Sequence, residues 1–219
     1  MYSYTEENYL KAIFKLQEQS GEAINTNSIA NAMDTKAASV TDMIKKLSDK
    51  KLLKYQKYKG VQLTDAGKKI AIETVRKHRL WETFLHHKLN FLWDEVHDVA
   101  EQLEHIQSEV LIDKLEEYLG FPSHDPHGDP IPGRNGIIKT SKLVLLSDIE
   151  TGKQGIISGV VNHSRLFLQH LQKSGLTLGR SIKILEINAF DLSVQLELDK
   201  VKKIHLSNEV ARNILIKTK

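Results

Sequence analysis

Histidine and carboxylate side chains recur at helical spacing between residues 76 and 109 of this 219-residue chain. The six candidates are, in order, His78, Glu82, His97, Glu101, Glu104 and His105. The last four have offsets of 0, 4, 7 and 8, so on one helix they would span about 100° of arc. Such a stripe is costly to bury unless a positive charge lies within it. A bound divalent cation would supply that charge, although a solvated helix face can carry the same residue types.

Composition restricts what could hold such a cation. The chain has no cysteine, so disulfides and thiolate ligands are excluded, and its ten histidines are the richest source of nitrogen ligands. Its 40% hydrophobic and 27% charged residues are typical of a globular protein, and its length suggests two or three small domains. There is no apolar run of the ~20 residues that a membrane span needs, and the amino terminus does not resemble a signal peptide. We therefore expect a cytoplasmic protein with no membrane partner.

A local excess of positive charge indicates nucleic-acid binding. Between residues 36 and 79 there are thirteen Lys or Arg residues and four acidic residues. Surfaces that neutralise DNA phosphates have this charge balance, although an ordinary solvated basic face could have it too. The motifs inside the segment favour the DNA interpretation.

Three predicted helices and a hairpin make up the first 64 residues. The first helix should begin at Thr5, and a short second helix should be capped by Thr26 or Asn27. A third, over residues 36–50, has an apolar face and follows a short turn, as in a helix-turn-helix. The hairpin turns at Lys59–Gly60 and would form a wing. Four residues of the third helix are predicted to contact base edges, namely Lys36, Ala38, Ser39 and Asp42. Two residues of the wing, Lys57 and Lys59, are predicted to contact phosphates.

The middle of the chain is predicted to be helical. Thr64 should cap a helix over residues 65–89, Asp94 should open a helix holding His97 to His105, and Ser108 should cap a third helix. Residues 121–136 contain all four prolines and read as an exposed linker, so His124 and His127 are not counted as ligands. Beyond residue 140, short β-branched runs alternate with turns around one helical stretch, as in a small, partly open barrel.

Several strings resemble the diphtheria toxin repressor and manganese transport regulator family of metal-dependent repressors. They are RKHRLWETFL, EVHDVAEQLEHIQSE, ASVTDMIKKL, KYKGVQLTDAGKKIA and LQKSGLTLG. The resemblance implies an α+β protein with four parts. These are a winged helix-turn-helix DNA-binding domain (1–64), a helical metal-binding and dimerisation domain (65–120), a linker (121–140) and an SH3-like domain (141–219). It also implies a homodimer that binds a palindromic operator in double-stranded DNA.

The same resemblance implies the ligands. His78, Glu82 and His97 match one metal position of the family, and three further residues match most of the other: Glu101, Glu104 and His105. Asn8 stands where the family usually has Asp or Met, and Lys11 stands where some manganese sensors have Glu, which argues against a two-metal core. His163 is a candidate ligand from the SH3-like domain. The carboxylate at position 101 favours Mn²⁺, with Fe²⁺ as the alternative.

The sequence therefore predicts a regulator that represses metal-uptake genes with a divalent metal as corepressor. It predicts neither an enzyme nor a binder of small organic substrates. Two other classes stay open at this point. One is a di-metal carboxylate enzyme, and the other is a winged-helix regulator that responds to an organic ligand or a partner protein.

Overall fold

The chain forms two compact units in a computed structural model that describes residues 2–21, 23–56, 60–139 and 141–218. The first unit contains Met1–His78, Glu101–Asp113 and Pro132–Ile138. The second contains Arg79–Ala100, Lys114–Ile131 and Lys139–Lys219. Each unit has its own hydrophobic core.

The first unit begins with the expected helix-turn-helix and wing. Its elements are α1 (Tyr4–Ser20), α2 (Thr26–Ala32), α3 (Ala37–Asp49), β1 (Leu53–Gln56) and β2 (Gly60–Leu63). Fully buried aliphatic side chains from α1, α3 and the hairpin form its core, among them Leu10, Val40, Leu47 and Val61. Burying each of the larger ones contributes about 1.5–3 kcal/mol relative to exposure. The apolar face of α3 is thereby held inward and its opposite face outward.

The first two helix starts differ from the sequence predictions. Helix α1 is capped by Ser3 rather than Thr5, because the Ser3 hydroxyl accepts from the Glu6 backbone N–H while the Glu6 carboxylate accepts from the Ser3 N–H. This capping box satisfies two donors at once. Helix α2 is capped by Asn25, whose side chain accepts from the Ser28 N–H, rather than by Thr26 or Asn27.

The hairpin is antiparallel, with Leu53 opposite Leu63 and Gln56 opposite Gly60. Gly60 has φ +102°, and a Cβ there would lie 2.7 Å from the backbone oxygen of Ile24. Only glycine fits this close approach, which places the hairpin beside the start of α2. The predicted phosphate contacts Lys57 and Lys59 lie outside the described residues.

Helix α4 (Asp65–Leu89) has the predicted bounds. The Thr64 hydroxyl accepts from the Gly67 N–H, as an N-cap should. A Cβ at Gly67 would be 1.9 Å from the Leu52 oxygen, so the start of α4 packs directly on the base of the hairpin. The helix continues through the boundary between the units, which falls after His78.

The next helix is shorter than predicted. Helix α5 spans Val96–Leu103, so Glu104 and His105 lie in the turn that follows it rather than on one stripe with His97. Partners in α1 and α4 hold both side chains at buried positions, and such tertiary contacts override helix propensity. Helix α6 (Glu109–Tyr118) follows, with the Ser108 hydroxyl accepting from the Leu111 N–H.

The second unit is built on a six-stranded sheet of order β3-β8-β4-β5-β6-β7. Its elements are β3 (Val144–Leu145), β4 (Gln154–Val160), α7 (Arg165–Ser174), β5 (Ser181–Ile187), β6 (Val194–Leu198), β7 (Lys202–Leu206), α8 (Asn208–Ala211) and β8 (Ile214–Thr218). Its strands pair antiparallel around a core that includes Ile184, Leu196 and Ile214. This is the expected SH3-like arrangement. Among the described residues, no helix is long and apolar enough to cross a membrane.

The proline-rich segment is packed, where the sequence suggested an exposed linker. Asp125 and His127 are 4% and 2% exposed. Gly128 has φ +89°, and a Cβ there would lie 2.1 Å from the Ser158 oxygen on β4. The neighbouring His127 carbonyl accepts from the Val160 N–H at 3.0 Å. The segment is thus fixed against the sheet by a close backbone approach that only glycine permits.

Candidate metal centres

Two groups of buried ionisable side chains stand out, one in each unit. The first cluster lies in the first unit and comprises Glu7, Lys11, His78, Glu101, Glu104 and His105, with Asn8 next to Glu7 on α1. The second cluster lies in the second unit and comprises Glu82, His97, Asp125 and His127. Each is described below from its backbone outward.

Glu104 is at the centre of the first cluster and is fully buried. Its Oε1 accepts from the Lys11 ammonium at 2.6 Å, and its Oε2 lies 2.5 Å from His78 Nδ1. Burial alone would raise the pKa of Glu104, but the hydrogen bond from His78 and the charge of Lys11 outweigh it and lower that pKa below its ordinary value. Glu104 is therefore a carboxylate, ready to act as a ligand.

Lys11 reaches the cluster from α1 and is itself buried. Its Nζ also lies 3.0 Å from Glu101 Oε1. Glu101 is less enclosed, with 44% of its side chain exposed. One ammonium group therefore joins two of the predicted ligands.

Glu7 orients the imidazole of His105. His105 Nδ1 lies 2.6 Å from Glu7 Oε2, while Gln107 Nε2 donates to Glu7 Oε1 at 2.8 Å. A carboxylate at Nδ1 fixes the proton there and leaves the lone pair on Nε2, which lies 3.7 Å from Glu104 Oε1. The Tyr4 ring stacks on the imidazole at 4.6 Å and fixes its plane.

Asn8 supplies the test of whether this cluster suits a metal ion. Its Oδ1 is buried and has no hydrogen-bond partner among the described residues. A buried acceptor without a donor is unfavourable, and coordination to a cation would relieve it. The Asn8 oxygen, the Glu104 carboxylate and His105 Nε2 form a donor set that fits a hard divalent metal.

The second cluster centres on Glu82 of α4, which is 2% exposed. One ligand atom each from Glu82, Asp125 and His127 lie within 4.8 Å of one another. His97, at the start of α5, lies 3.3 Å from Glu82 through its Nδ1 and is partly exposed. Three carboxylate or imidazole groups this close and this buried resemble a cation site more than a structural contact.

The packed proline-rich segment fixes the orientation of the His127 ring. Asp125 Oδ1 accepts from the backbone N–H groups of His127 and Asp129, which shapes the turn. His127 Nε2 donates to the Trp93 carbonyl at 2.8 Å, so Nδ1 faces Glu82 Oε2 at 3.6 Å. No hydrogen bond to this Nδ1 exists within the described chain, which fits a nitrogen placed to bind a metal ion.

Protons supply much of the positive charge in this second cluster. Burial raises the pKa of Asp125, and the negative charge of Glu82 raises it further. Burial alone would lower the pKa of His127, but the interactions with Glu82 and Asp125 raise it to about 9. Arg79 adds a fixed charge 3.7 Å from Asp125 and 3.2 Å from Asp129. A metal ion binding here would have to displace protons.

The predicted ligands thus divide between the clusters. Lys11 bridges Glu101 and Glu104, and His105 Nε2 lies 3.7 Å from Glu104 Oε1. Glu82 lies 3.3 Å from His97, and the coordination of a metal ion by Asn8 stays a prediction. His78 Nδ1 contacts Glu104 in the first unit, and its predicted action with Glu82 and His97 stays a prediction. His163 stacks on His127 with ring centroids 5.0 Å apart. Its Nε2 lies 3.3 Å from the Val160 carbonyl.

Sequence reasoning missed three contributors: Glu7, Asp125 and His127. From the sequence, Glu7 is only an acidic residue near the start of the first predicted helix, where acids are common. The Asp125–Pro126–His127 string holds two ligand types one residue apart, and this was the available signal. It was discounted because the segment was expected to be exposed.

The predicted base-reading residues lie on the outer side of α3. Lys36, Ala38, Ser39 and Asp42 are all exposed, while Val40, Ile44 and Leu47 are buried against the core. An exposed helix start beside a hairpin is the part of a winged helix that enters the DNA major groove.

The fold and the two clusters define a class, namely winged-helix proteins with buried carboxylate and imidazole groups and an SH3-like domain. Residues 1–61 match the family model described as "Iron dependent repressor, N-terminal DNA binding domain". Residues 64–133 match "Iron dependent repressor, metal binding and dimerisation domain", and residues 144–218 match "FeoA domain".

Individual relatives agree with these matches. The chain is 37% identical over 120 residues to the HTH-type transcriptional regulator MntR of Oceanobacillus iheyensis, covering 54% of this chain and 80% of that protein. It is 33% identical over 129 residues to the iron-dependent repressor IdeR of Mycobacterium tuberculosis, covering 59% of this chain and 56% of that protein. The match thus spans little more than half the length of the mycobacterial relative.

A solved structure covers almost the whole chain. The "Manganese-dependent transcriptional repressor complex with manganese" has a TM-score of 0.86 and 32% identity, covering 98% of this chain and 100% of that one. The chain belongs to the iron-dependent repressor family, whose members include diphtheria toxin repressors and manganese regulators. The family and fold predicted from the sequence are confirmed.

Proposed function

We propose that this protein is a metal-activated, DNA-binding transcriptional repressor of metal-uptake genes. The observation that carries the proposal is the second cluster, in which Glu82, Asp125 and His127 converge within 4.8 Å in a buried setting. Glu82 belongs to α4, the same helix whose start packs on the base of the wing through Gly67. A ligand on that helix can therefore influence the DNA-binding module.

Each of the two clusters would hold a metal ion with its own residues. In the first, the ligands are Asn8, Glu101, Glu104 and His105, and in the second Glu82, Asp125 and His127, with His97 beside them. The bound ion supplies a positive charge that lets the carboxylates of each cluster stay close together. Its effect on DNA binding is limited by its differential affinity for the DNA-competent conformation.

The DNA partner is a double-stranded operator. The exposed start of α3 would read base edges through Lys36, Ala38, Ser39 and Asp42. Lys57 and Lys59 of the wing would bind phosphates, which adds affinity without sequence preference. The thirteen basic residues between 36 and 79 provide the surrounding positive field.

The active form is a homodimer bound to a palindromic site. On α6, Val110 is 73% exposed and Leu111 is 41% exposed, so this helix offers apolar surface that a second copy would cover. A two-fold dimer presents two recognition helices to half-sites about one turn of DNA apart.

We favour Mn²⁺ as the activating metal, with Fe²⁺ as the alternative. Carboxylate, amide oxygen and imidazole donors are a hard set, and the chain has no cysteine. Zn²⁺ should bind at least as tightly but prefers four ligands, so it would leave part of a cluster unused. Selectivity would then appear in activation rather than in affinity, with Glu101 as the selecting residue.

Operator binding with and without metal tests the proposal. DNA selected from a random pool in the presence of Mn²⁺ would be titrated anaerobically with protein in Mn²⁺, Fe²⁺, Co²⁺, Zn²⁺ or EDTA, and binding followed by fluorescence anisotropy. We expect Mn²⁺ to strengthen binding at least tenfold, which needs about 1.4 kcal/mol of coupling. Equal binding in EDTA would instead favour a regulator that responds to another ligand.

The same assay tests the metal preference. Glu101→Cys introduces a soft donor and should change the ranking of the four metals. If the ranking is unchanged, or if Mn²⁺ at saturation activates no better than Zn²⁺ in the unmodified protein, Glu101 is not the selecting residue.

A further inference from the structure

Lys11 occupies the place where a cation is needed in the first cluster. Its side chain is 6% exposed, and its ammonium lies 2.6 Å from Glu104 Oε1 and 3.0 Å from Glu101 Oε1. Both oxygens belong to residues proposed above as metal ligands. The lysine thus satisfies, from within the chain, the same charge requirement that a metal ion would satisfy.

The ammonium and a metal ion would meet at the same oxygen. Glu104 Oε2 is engaged by His78 Nδ1, which leaves Oε1 as the oxygen nearer to His105 Nε2, at 3.7 Å. Lys11 already donates to that Oε1. Two cations on one carboxylate oxygen repel each other strongly where little water can screen them. Metal coordination through Oε1 therefore requires the ammonium to move away.

Lys11 also connects two parts of the first unit. It lies on α1 of the helix-turn-helix, whereas Glu101 and Glu104 lie at the end of α5 and in the turn after it. The ion pairs hold this ligand segment to α1 whether or not a metal ion is present. Removing one partner of a buried pair leaves uncompensated charge, which destabilises a protein more than the pair itself stabilises it.

We propose that Lys11 is the resident cation of the first cluster. It holds Glu101 and Glu104 to α1 in the metal-free protein and competes with the metal ion for these carboxylates. It acts as a positioning residue that sets the metal concentration at which the cluster fills. This inference rests on the proposed metal activation, because it assumes that the cluster binds a metal ion.

The test compares Lys11→Met with the unmodified chain, both in a His127→Ala background so that the second cluster does not obscure the titration. Two quantities are measured on the full chain: the melting temperature in EDTA and the Mn²⁺ affinity by calorimetry. Lys11→Met should lower the metal-free melting temperature by about 3 °C or more. It should also tighten Mn²⁺ binding at least tenfold, because the competing charge is gone.

Control variants separate this role from ordinary packing. Lys11→Arg keeps the charge and should retain most of the melting temperature and the weaker Mn²⁺ affinity. Lys15→Met removes a positive charge one turn further along α1 and should leave the Mn²⁺ affinity unchanged. If Lys11→Met does not fold in EDTA, recovery of its folding by Mn²⁺ supports the proposal. If it folds in neither condition, Lys11→Gln replaces it with the same expected results.

The outcomes also distinguish this inference from the proposed function. Unchanged or weaker Mn²⁺ affinity in Lys11→Met overturns the competition, even if the melting temperature falls. If the unmodified chain binds Mn²⁺ and gains operator affinity while Lys11→Met behaves identically, only the role of Lys11 is wrong. If neither protein binds Mn²⁺ and EDTA leaves DNA binding unchanged, the proposed function fails together with the competition.

Discussion

The two clusters obtain their positive charge from different sources. In the first, Lys11 supplies a permanent ammonium 2.6 Å from Glu104, and the pKa of Glu104 is lowered. In the second, the pKa of Asp125 and that of His127 are both raised, so protons partly neutralise the group. A metal ion would displace a lysine side chain in one case and protons in the other.

This difference predicts how each cluster behaves without metal. In the first, the charged and imidazole groups are paired through hydrogen bonds from Lys11, His78, His105 and Gln107, although Asn8 Oδ1 has no partner among the described residues. The second leaves His127 Nδ1 3.6 Å from Glu82, a distance too long for a hydrogen bond. We therefore expect the second cluster to gain more from metal binding, and the predictions below test that expectation.

The largest effect is expected for His127→Ala. The change removes a proposed ligand, namely the buried imidazole whose nitrogen lies within 4.8 Å of both the Glu82 and the Asp125 carboxylates. Mn²⁺ affinity of the second cluster should fall by about 100-fold or more, measured by calorimetry with the first cluster disabled by His105→Ala. His124→Ala is the matched control, because His124 is on the same segment and pairs with Ser123 instead. Equal effects of the two alanine variants would remove His127 from the site.

A smaller loss is expected for Glu7→Gln in the first cluster. The amide can no longer fix the proton on His105 Nδ1, so the imidazole would present the wrong tautomer part of the time. Loss of such an orienting carboxylate typically costs about 10–100-fold in metal affinity. Glu6→Gln is the control, since Glu6 pairs with Lys50 at 2.6 Å and not with His105.

That control has its own expected signature. Glu6→Gln should lower the melting temperature and leave Mn²⁺ affinity unchanged. Lys50 and Lys46 lower the pKa of Glu6 to about 2, even though burial opposes ionisation. Because the folded-state pKa is depressed, this stabilisation is present above the ordinary pKa of about 4.5 and is lost as the pH falls toward 2. If Glu6→Gln lost as much Mn²⁺ affinity as Glu7→Gln, the assignment of Glu7 as the residue that orients His105 would be contradicted.

The next effect is a difference between the two clusters in how their Mn²⁺ affinity depends on pH. His127 holds a proton up to a pKa of about 9, so Mn²⁺ must release that proton to bind at neutral pH. Affinity of the second cluster should rise at least tenfold per unit between pH 7 and 8, and more if Asp125 releases a proton as well, with proton uptake by the buffer seen in calorimetry. Glu104 is already ionised there, so the first cluster should change less. If Mn²⁺ affinity depended on pH equally in both clusters, the proposed difference in their sources of positive charge would be wrong.

The smallest effect is expected for the predicted DNA-contacting residues, which belong to neither cluster. Asp42→Ala should change operator preference by about tenfold, which corresponds to about 1.4 kcal/mol and lies toward the lower end of the roughly 1–3 kcal/mol that a good base contact contributes. Lys59→Ala should instead weaken all DNA sequences alike and flatten the salt dependence. Both variants should bind Mn²⁺ as the unmodified chain does, and a change in metal affinity would indicate misfolding.

Local signals were sufficient for most elements of the fold. The bounds of α4 follow from the Thr64 cap, and the apolar spacing of Val40, Ile44 and Leu47 identifies the buried face of α3. The first helix start was misplaced by two residues, because Ser3 and Thr5 are both good caps and only the reciprocal bonds of Ser3 and Glu6 decide between them. The ligand types and their order could also be read from the chain.

By itself, the sequence determined the architecture and the family, and it listed the side chains that could serve as ligands. The architecture depends on local periodicity and on caps, the family on the resemblance of particular strings, and the list of possible ligands on residue types. Only the tertiary structure decided which ligands meet. Glu7 and His105 are far apart in sequence, as are Glu82 and His127, yet each pair lies within 4 Å. The physical reason is that such pairings depend on long-range packing, here the turn after α5 and the backbone approach at Gly128, which local periodicity does not encode.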